Sequence, residues 1–204
     1  GTPAALIGML HGDEQMIPKK LGIILDKSGA RAFAENMPSA YTLLPSEQYF
    51  ADVFDPVVEL DPDVSEIYDF PSFYDGSVNS RNELDNFLLG ESGGRAEPAT
   101  EDTDSPNVLN QTLLDRASAI QQTLDSWTAP ADIQVVQIVG WGLDTIRGIR
   151  YDDCDVPLCP DTLSNLDREL IFVDDGDGTV VVPSANAMEG VETYYINLPA
   201  HNRE

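Results

Sequence analysis

The chain has 204 residues, 42% of them hydrophobic, enough for one domain with a real core, too apolar for a disordered chain and too polar for a membrane-spanning one. Thirty-six Asp and Glu stand against 11 Lys and Arg, a formal charge of -25 that repels phosphate backbones and anionic membrane surfaces, so nucleic acid is excluded as a partner. No run approaches the roughly 18 consecutive apolar residues of a membrane helix, so no transmembrane segment is expected. The N-terminus, Gly1-Thr2-Pro3, shows neither an initiating Met nor a signal peptide, which points to processing or truncation.

Thr2 can cap a helix and Pro3 suits its first turn, so a short apolar helix is expected over Thr2 to Gly8. Met16 to Leu25 is apolar enough to pack against a core. Ser28 to Asn36 reads as a small-residue helix stopped by Met37-Pro38. From Ser39 to Asp75 the chain is rich in Tyr, Phe, Pro and Asp without clean periodicity. Such a stretch suits a cap or lid, or equally an irregular insertion whose aromatics bury themselves against the domain. Gly90 to Pro106 is acidic and punctuated by Gly and Pro, hence a surface loop.

Leu109, Leu113, Ala117, Ile120, Leu124 and Trp127 recur at helical spacing and predict a helix from Asn107 to Trp127, with Asn107 available as N-cap. Ile133 to Val139 reads as a buried parallel strand, followed by a turn at Gly140-Trp141-Gly142-Leu143-Asp144-Thr145. Ile146 to Tyr151 and Glu169 to Val173 can pair across a loop holding both cysteines. Cys154 and Cys159 suit a local disulfide in an oxidising compartment. Zinc would need further thiol or imidazole ligands, and the chain offers only His11 and His201.

The run Phe172 to Pro183 organises the functional reading. An apolar strand breaks into Asp174-Asp175-Gly176-Asp177-Gly178 and becomes apolar again, which holds a carboxylate, Asp177, at a turn. After the strand-like Val191 to Leu198 comes His201, giving an acid, a strand and a histidine in that order. A chain order of Ser, then Asp or Glu, then His is that of an α/β-hydrolase triad. A calcium loop aligned on this run places Val173 first and Ser184 twelfth, where a carboxylate is required, so metal binding is not expected. His11, in Leu10-His11-Gly12, suits a surface or helix-end role.

With these residues in view, the chain resembles the α/β-hydrolase superfamily, and within it lipases and acyltransferases similar to lecithin:cholesterol acyltransferase. The resemblance rests on Gly1-Thr2-Pro3 with Gly8, Asn36-Met37-Pro38-Ser39-Ala40-Tyr41 with Leu43-Leu44-Pro45, Gly140 to Thr145, Gly176 to Val180, and His201. It implies an α/β fold with a mostly parallel sheet, of which this chain supplies the last strands and helices. Residues 1–27 would follow the nucleophile region, 28–106 would form a cap insertion, and 107–204 the C-terminal core. It implies Asp177 as the acid that orients the histidine and His201 as general base and acid, in acyl transfer from an ester or lipid through a serine acyl-enzyme without a cofactor. The serine would lie upstream of Gly1, so the fragment alone would be inactive. A secreted, periplasmic or cell-surface location is the matching expectation.

Within the chain, Gly90-Glu91-Ser92-Gly93-Gly94 satisfies G-x-S-x-G, and Ser92 precedes Asp177 and His201. An elbow needs a buried strand before the serine and a helix after it; here a very short apolar run precedes Ser92 and an acidic loop follows. The alternative to an enzyme is an acidic binding or interaction module that keeps hydrolase-like architecture without chemistry.

Overall fold

In the computed structural model the described residues are 2–12, 26–62, 64, 74, 76–90, 98–99, 101–102, 106–152, 166–188 and 190–201. Helix α1 (Thr2–Leu10) starts at the Thr-Pro pair. Leu6, Ile7 and Leu10 are wholly buried and so are residues on its other faces, as suits a helix apolar all round. Helix α2 (Lys27–Asn36) is capped by Asp26, whose Oδ1 accepts from Gly29 N at 2.7 Å, and ends before Met37-Pro38 as the sequence predicts. Pro38 then opens a short helix α3 (Pro38–Thr42), and Ser46 caps α4 (Glu47–Asp52).

Strands β1 (Val58–Leu60) and β2 (Ser77–Val78) lead to α5 (Arg81–Leu89), capped by Ser80 and closed by Gly90 at φ 72°. Helix α6 spans Gln111–Asp125. The expected start at Asn107 is displaced for a visible reason. Asn107 N donates to Leu10 O and Leu109 N to Leu88 O, both at 2.9 Å, so this backbone is tied to α1 and α5 and the cap falls to Asn110. Leu114, Ala117 and Gln121 form the buried face, whereas Ile120 and Leu124, expected in the apolar stripe, are exposed, as is Trp127 beyond the helix end.

β3 (Val136–Trp141), β4 (Thr145–Asp152), β5 (Asp167–Val173), a one-turn α7 (Val182–Ala185), β6 (Glu192–Asn197) and α8 (Leu198–His201) complete the described chain. β4 and β5 pair antiparallel from Thr145↔Val173 to Asp152↔Asp167, the hairpin expected across the cysteine loop. The two cysteines themselves lie outside the described residues, as does Met16 to Leu25.

The architecture is mixed α/β. One sheet has the order β2-β1-β4-β5 and a separate pair joins β3 to β6. β1–β4 and β3–β6 are parallel, β1–β2 and β4–β5 antiparallel, so among the described residues the pairing is mixed. β1 comes from the segment read as an insertion, yet it is hydrogen-bonded directly to β4: Val58 pairs with Ile149 and Leu60 with Tyr151. Gly148 permits this approach, since a Cβ there would lie 2.7 Å from Val57 O. One core unites α1, α2, α3, α5 and α6 with β1 and β4, centred on Leu6, Ile7, Tyr41, Phe87, Leu114 and Tyr151.

Two buried polar networks cross this core. Arg81 donates from Nη1 to Pro45 O (2.9 Å) and Gln121 Oε1, from Nη2 to Ser118 Oγ (2.9 Å), and from Nε to Asp85 (2.8 Å). Gln121 in turn donates to Thr42 O and Leu44 O. Tyr41 Oη donates to Glu35 O at 2.5 Å and accepts from Asn110 N at 2.9 Å, joining the end of α2 to the start of α6. His11, at the helix end as expected, is buried rather than on the surface, with Nε2 2.8 Å from Tyr151 Oη.

The β3–β6 pair is covered differently. Successive strand residues alternate faces, so Val136, Ile138 and Tyr194 share one face, and these are 44%, 66% and 53% exposed. Only Val139 of β3 is buried, in contrast to the fully buried strand expected. Among the described residues no helix is long and apolar enough to cross a membrane.

Candidate active site

Asp177 stands in the turn after β5. Its backbone bridges in parallel to Leu143 in the β3–β4 turn, with Leu143 N donating to Gly176 O at 3.0 Å. Its carboxylate Oδ1 accepts from Thr179 N and Val180 N, both at 2.8 Å, so the turn itself orients the side chain. The residue is exposed.

Thr145 fixes this turn from behind. It is 0% exposed, donates to Leu143 O at 2.8 Å and accepts from Gly178 N at 2.8 Å. A Cβ on Gly176 would collide with that hydroxyl and lie 2.7 Å from Val180 O, so glycine is required there for close approach. Gly178, at φ 90°, takes the left-handed conformation that lets the chain turn beneath the carboxylate. The Gly-Trp-Gly-Leu-Asp-Thr and Gly-Asp-Gly-Thr runs are thus two halves of one device. Both were visible in the sequence, but the part played by Thr145 was not, because nothing local marks a threonine as buried.

His201 ends α8, which follows β6 without a break. Because β3 and β6 run parallel, from Val136↔Glu192 to Trp141↔Asn197, the Asp177 turn and α8 gather at the same carboxyl-terminal edge. A Cβ placed on Gly140 would lie 3.1 Å from Asp177 Cβ and 3.0 Å from Leu198 Cδ1, and one on Gly142 2.9 Å from Pro199 Cδ. Asp177 and the first turn of α8 therefore flank the same glycine. The side chain of His201 lies outside the described residues.

Ser92 also lies outside them. The run before it, Asn86 to Leu89, belongs to α5 and ends in the glycine cap at Gly90, so a helix rather than a strand precedes the G-x-S-x-G match.

A cavity of about 350 Å³ opens beside the Asp177 turn. Thr179, Val180 and Val181 contribute one wall, the segment Thr42 to Val53 another, Thr2 and Pro3 of α1 a third, and Ile146 and Arg147 of β4 border it. That volume falls at the lower end of small-molecule sites. A second cavity of about 300 Å³ adjoins it, sharing Ser46, Gln48, Gln121 and Asp125. Arg147 donates to Pro56 O (2.8 Å) and to Glu59 Oε1 (2.7 Å), and Arg150 binds the other Glu59 oxygen at 2.7 Å. Burial opposes ionisation of Glu59, but the two guanidinium groups outweigh it and hold the carboxyl below its ordinary value. Burial pushes the Tyr49 hydroxyl up, with Arg147 opposing, so it stays a neutral phenol. Among the described residues no cluster of three or more His, Cys, Asp or Glu could hold a metal ion.

No protein-family model matches the chain, nor does any curated protein.

Proposed function

We propose that this chain is the acid- and base-bearing part of a serine esterase, lipase or lipid acyltransferase of the α/β-hydrolase type. The observation that carries the reading is the convergence of the Asp177 turn and α8 at one carboxyl-terminal edge of a parallel strand pair, the edge at which open α/β sheets place their ligands. Asp177 orients the histidine and stabilises the imidazolium. His201 takes the serine's proton on attack and returns it to the leaving alcohol. With one Oδ held by Thr179 and Val180, the second is left to receive the imidazole N–H.

The serine in this proposal lies upstream of Gly1, on a strand that continues the sheet. The uncovered face of β3–β6, with Val136, Ile138 and Tyr194, is in keeping with a further layer of the hydrolase packed on it, because parallel strands are ordinarily covered on both faces. A disulfide between Cys154 and Cys159 and a secreted, periplasmic or cell-surface location belong to the same proposal.

The test is ester hydrolysis by the full-length protein carrying Asp177→Asn or His201→Gln. Each change lowers kcat by about 10³-fold or more with little change in KM. Undiminished hydrolysis after either change refutes the assignment.

A non-catalytic acidic interaction module is the second reading. It is favoured by the Asp177 carboxylate being exposed and already bonded within its own turn, and by the open apolar strand face. Under it, both variants leave every activity of the protein unchanged.

A further inference from the structure

The second cavity, of about 300 Å³, is lined by polar side chains throughout, and on its buried side stands Arg81. Arg81 is 7% exposed and its charge is met by Asp85 at 2.8 Å. A guanidinium has five N–H donors. Asp85, Pro45 O, Gln121 Oε1 and Ser118 Oγ take four of them, and the fifth, on Nη2, has no acceptor among the described residues. Ser118 Oγ accepts from Nη2 at 2.9 Å and Ser46 Oγ accepts from Tyr49 N at 3.3 Å. Each hydroxyl is thus oriented by a bond it accepts, and each keeps its own proton to donate.

These three donors line one cavity. Glu47, Gln122 and Asp125, all exposed, bring acceptors to its rim. A fitting ligand therefore accepts on the inner side and donates at the rim. A phosphate, sulfate or carboxylate has no proton for the rim and meets two carboxylates there, while the charge of Arg81 is already matched. A cation brings no acceptor for the inner donors. Sugar hydroxyls do both, each oxygen accepting and each O–H donating. The volume stands at the lower end of small-molecule sites and suits one sugar ring. The cavity also shares Ser46, Gln48, Gln121 and Asp125 with the first, where Leu44, Val53, Ile146 and Val181 supply aliphatic walls.

We infer that the second cavity binds the sugar of a neutral glycoside through Arg81 Nη2 and the Ser118 and Ser46 hydroxyls, and that an aliphatic aglycone continues into the first cavity. The binding goes beyond the triad reading and holds whether or not the Asp177 turn is catalytic.

Binding is measured apart from turnover. Octyl glucoside, below its micelle concentration, is titrated calorimetrically into the chain, with octyl phosphate and octanol as the anionic and headless comparisons. Octyl glucoside binds saturably and more tightly than either, and excess methyl glucoside displaces it. Ser118→Ala removes one inner hydroxyl and weakens binding about five-fold, and Gln122→Ala, at the rim, weakens it about two-fold. Gln122 is exposed, so its variant keeps the fold even where loss of the Ser118 hydroxyl unsettles Arg81, as circular dichroism verifies. Thr123→Ala removes a hydroxyl from the same helix, at an exposed position lining neither cavity, and leaves binding unchanged. No saturable binding of octyl glucoside, equal or tighter binding of octyl phosphate or octanol, undiminished affinity in Gln122→Ala, or the same loss in Thr123→Ala overturns the inference. Ester hydrolysis after the Asp177 and His201 changes tests the triad alone and leaves this titration intact.

Discussion

Thr145→Val is the sharpest probe of how the Asp177 turn is held, because it exchanges a hydroxyl for a methyl at nearly constant volume in a side chain with no exposure. Two hydrogen bonds disappear, one to Leu143 O and one from Gly178 N, each 2.8 Å in the native protein. A net hydrogen bond contributes about 1 kcal/mol, and a group left wanting a partner adds to the loss. Gly178 is exposed, so its amide recovers water, whereas Leu143 is only half-exposed. The expected destabilisation is about 2 kcal/mol, read as a lower urea midpoint at unchanged m-value. Amide exchange locates it: Gly178 loses protection in Thr145→Val and retains it in Thr145→Ser, which keeps the hydroxyl while opening a small cavity. A loss below about 0.5 kcal/mol, or Ser and Val variants alike at the Gly178 amide, would refute the argument that this hydroxyl fixes the turn.

Arg81→Met removes four hydrogen bonds and leaves Gln121 Oε1 and Pro45 O buried without their donor, beside an Asp85 whose carboxyl burial already pushes up and Arg81 restrains. Breaking such a network costs about 4 kcal/mol, checked by urea denaturation. Glu59→Gln tests the Arg147–Glu59–Arg150 cluster by pH. Because the folded carboxyl titrates below its ordinary value, its contribution is complete above that ordinary value and lost as pH falls through the depressed folded one. The variant is therefore less stable than the native protein by about 1 kcal/mol at pH 7, and thermal melts of the two converge in acid.

Much of the fold was legible wherever the local signal and the tertiary requirement coincide. The Asp26 to Pro38 segment carries its own cap, small-residue face and stop, and α2 forms within one residue of the predicted start. The β4–β5 hairpin follows from two β-branched runs on either side of a loop. Where tertiary bonds compete, the sequence misleads. Asn107 and Asn110 are equally good caps, and only the bonds to Leu10 and Leu88 decide between them. The apolar stripe of α6 predicted burial for Leu124, yet Gln121 takes the inward place, because its amide satisfies Arg81 and the carbonyls of Thr42 and Leu44. No periodicity rule anticipates a glutamine chosen by carbonyls seventy-odd residues away.

The site was legible in its punctuation and opaque in its supports. Gly176, Asp177 and Gly178 announce a turn by composition alone, whereas Thr145 and the cavity wall become functional only through contacts between distant segments. The stretch from Thr42 to Asp52 shows why. It has no periodicity and reads as a cap or equally as an irregular insertion, but Gln121 holds its first carbonyls and Arg81 holds Pro45 O, while Tyr49 and Asp52 border the cavity. One wall of the cavity is thus positioned by charge and hydrogen bonding inside the core, and not by its own helical propensity. Loosening Arg81 must therefore reach the cavity as well as the stability: Arg81→Met frees the backbone at Leu44 and Pro45, and the Tyr49 and Val53 amides along α4, bonded to Ser46 Oγ and Tyr49 O, lose hydrogen-exchange protection beyond the global loss of stability. A variant that lost the stability while keeping that local protection intact would show that the wall stands independently of the network beneath it.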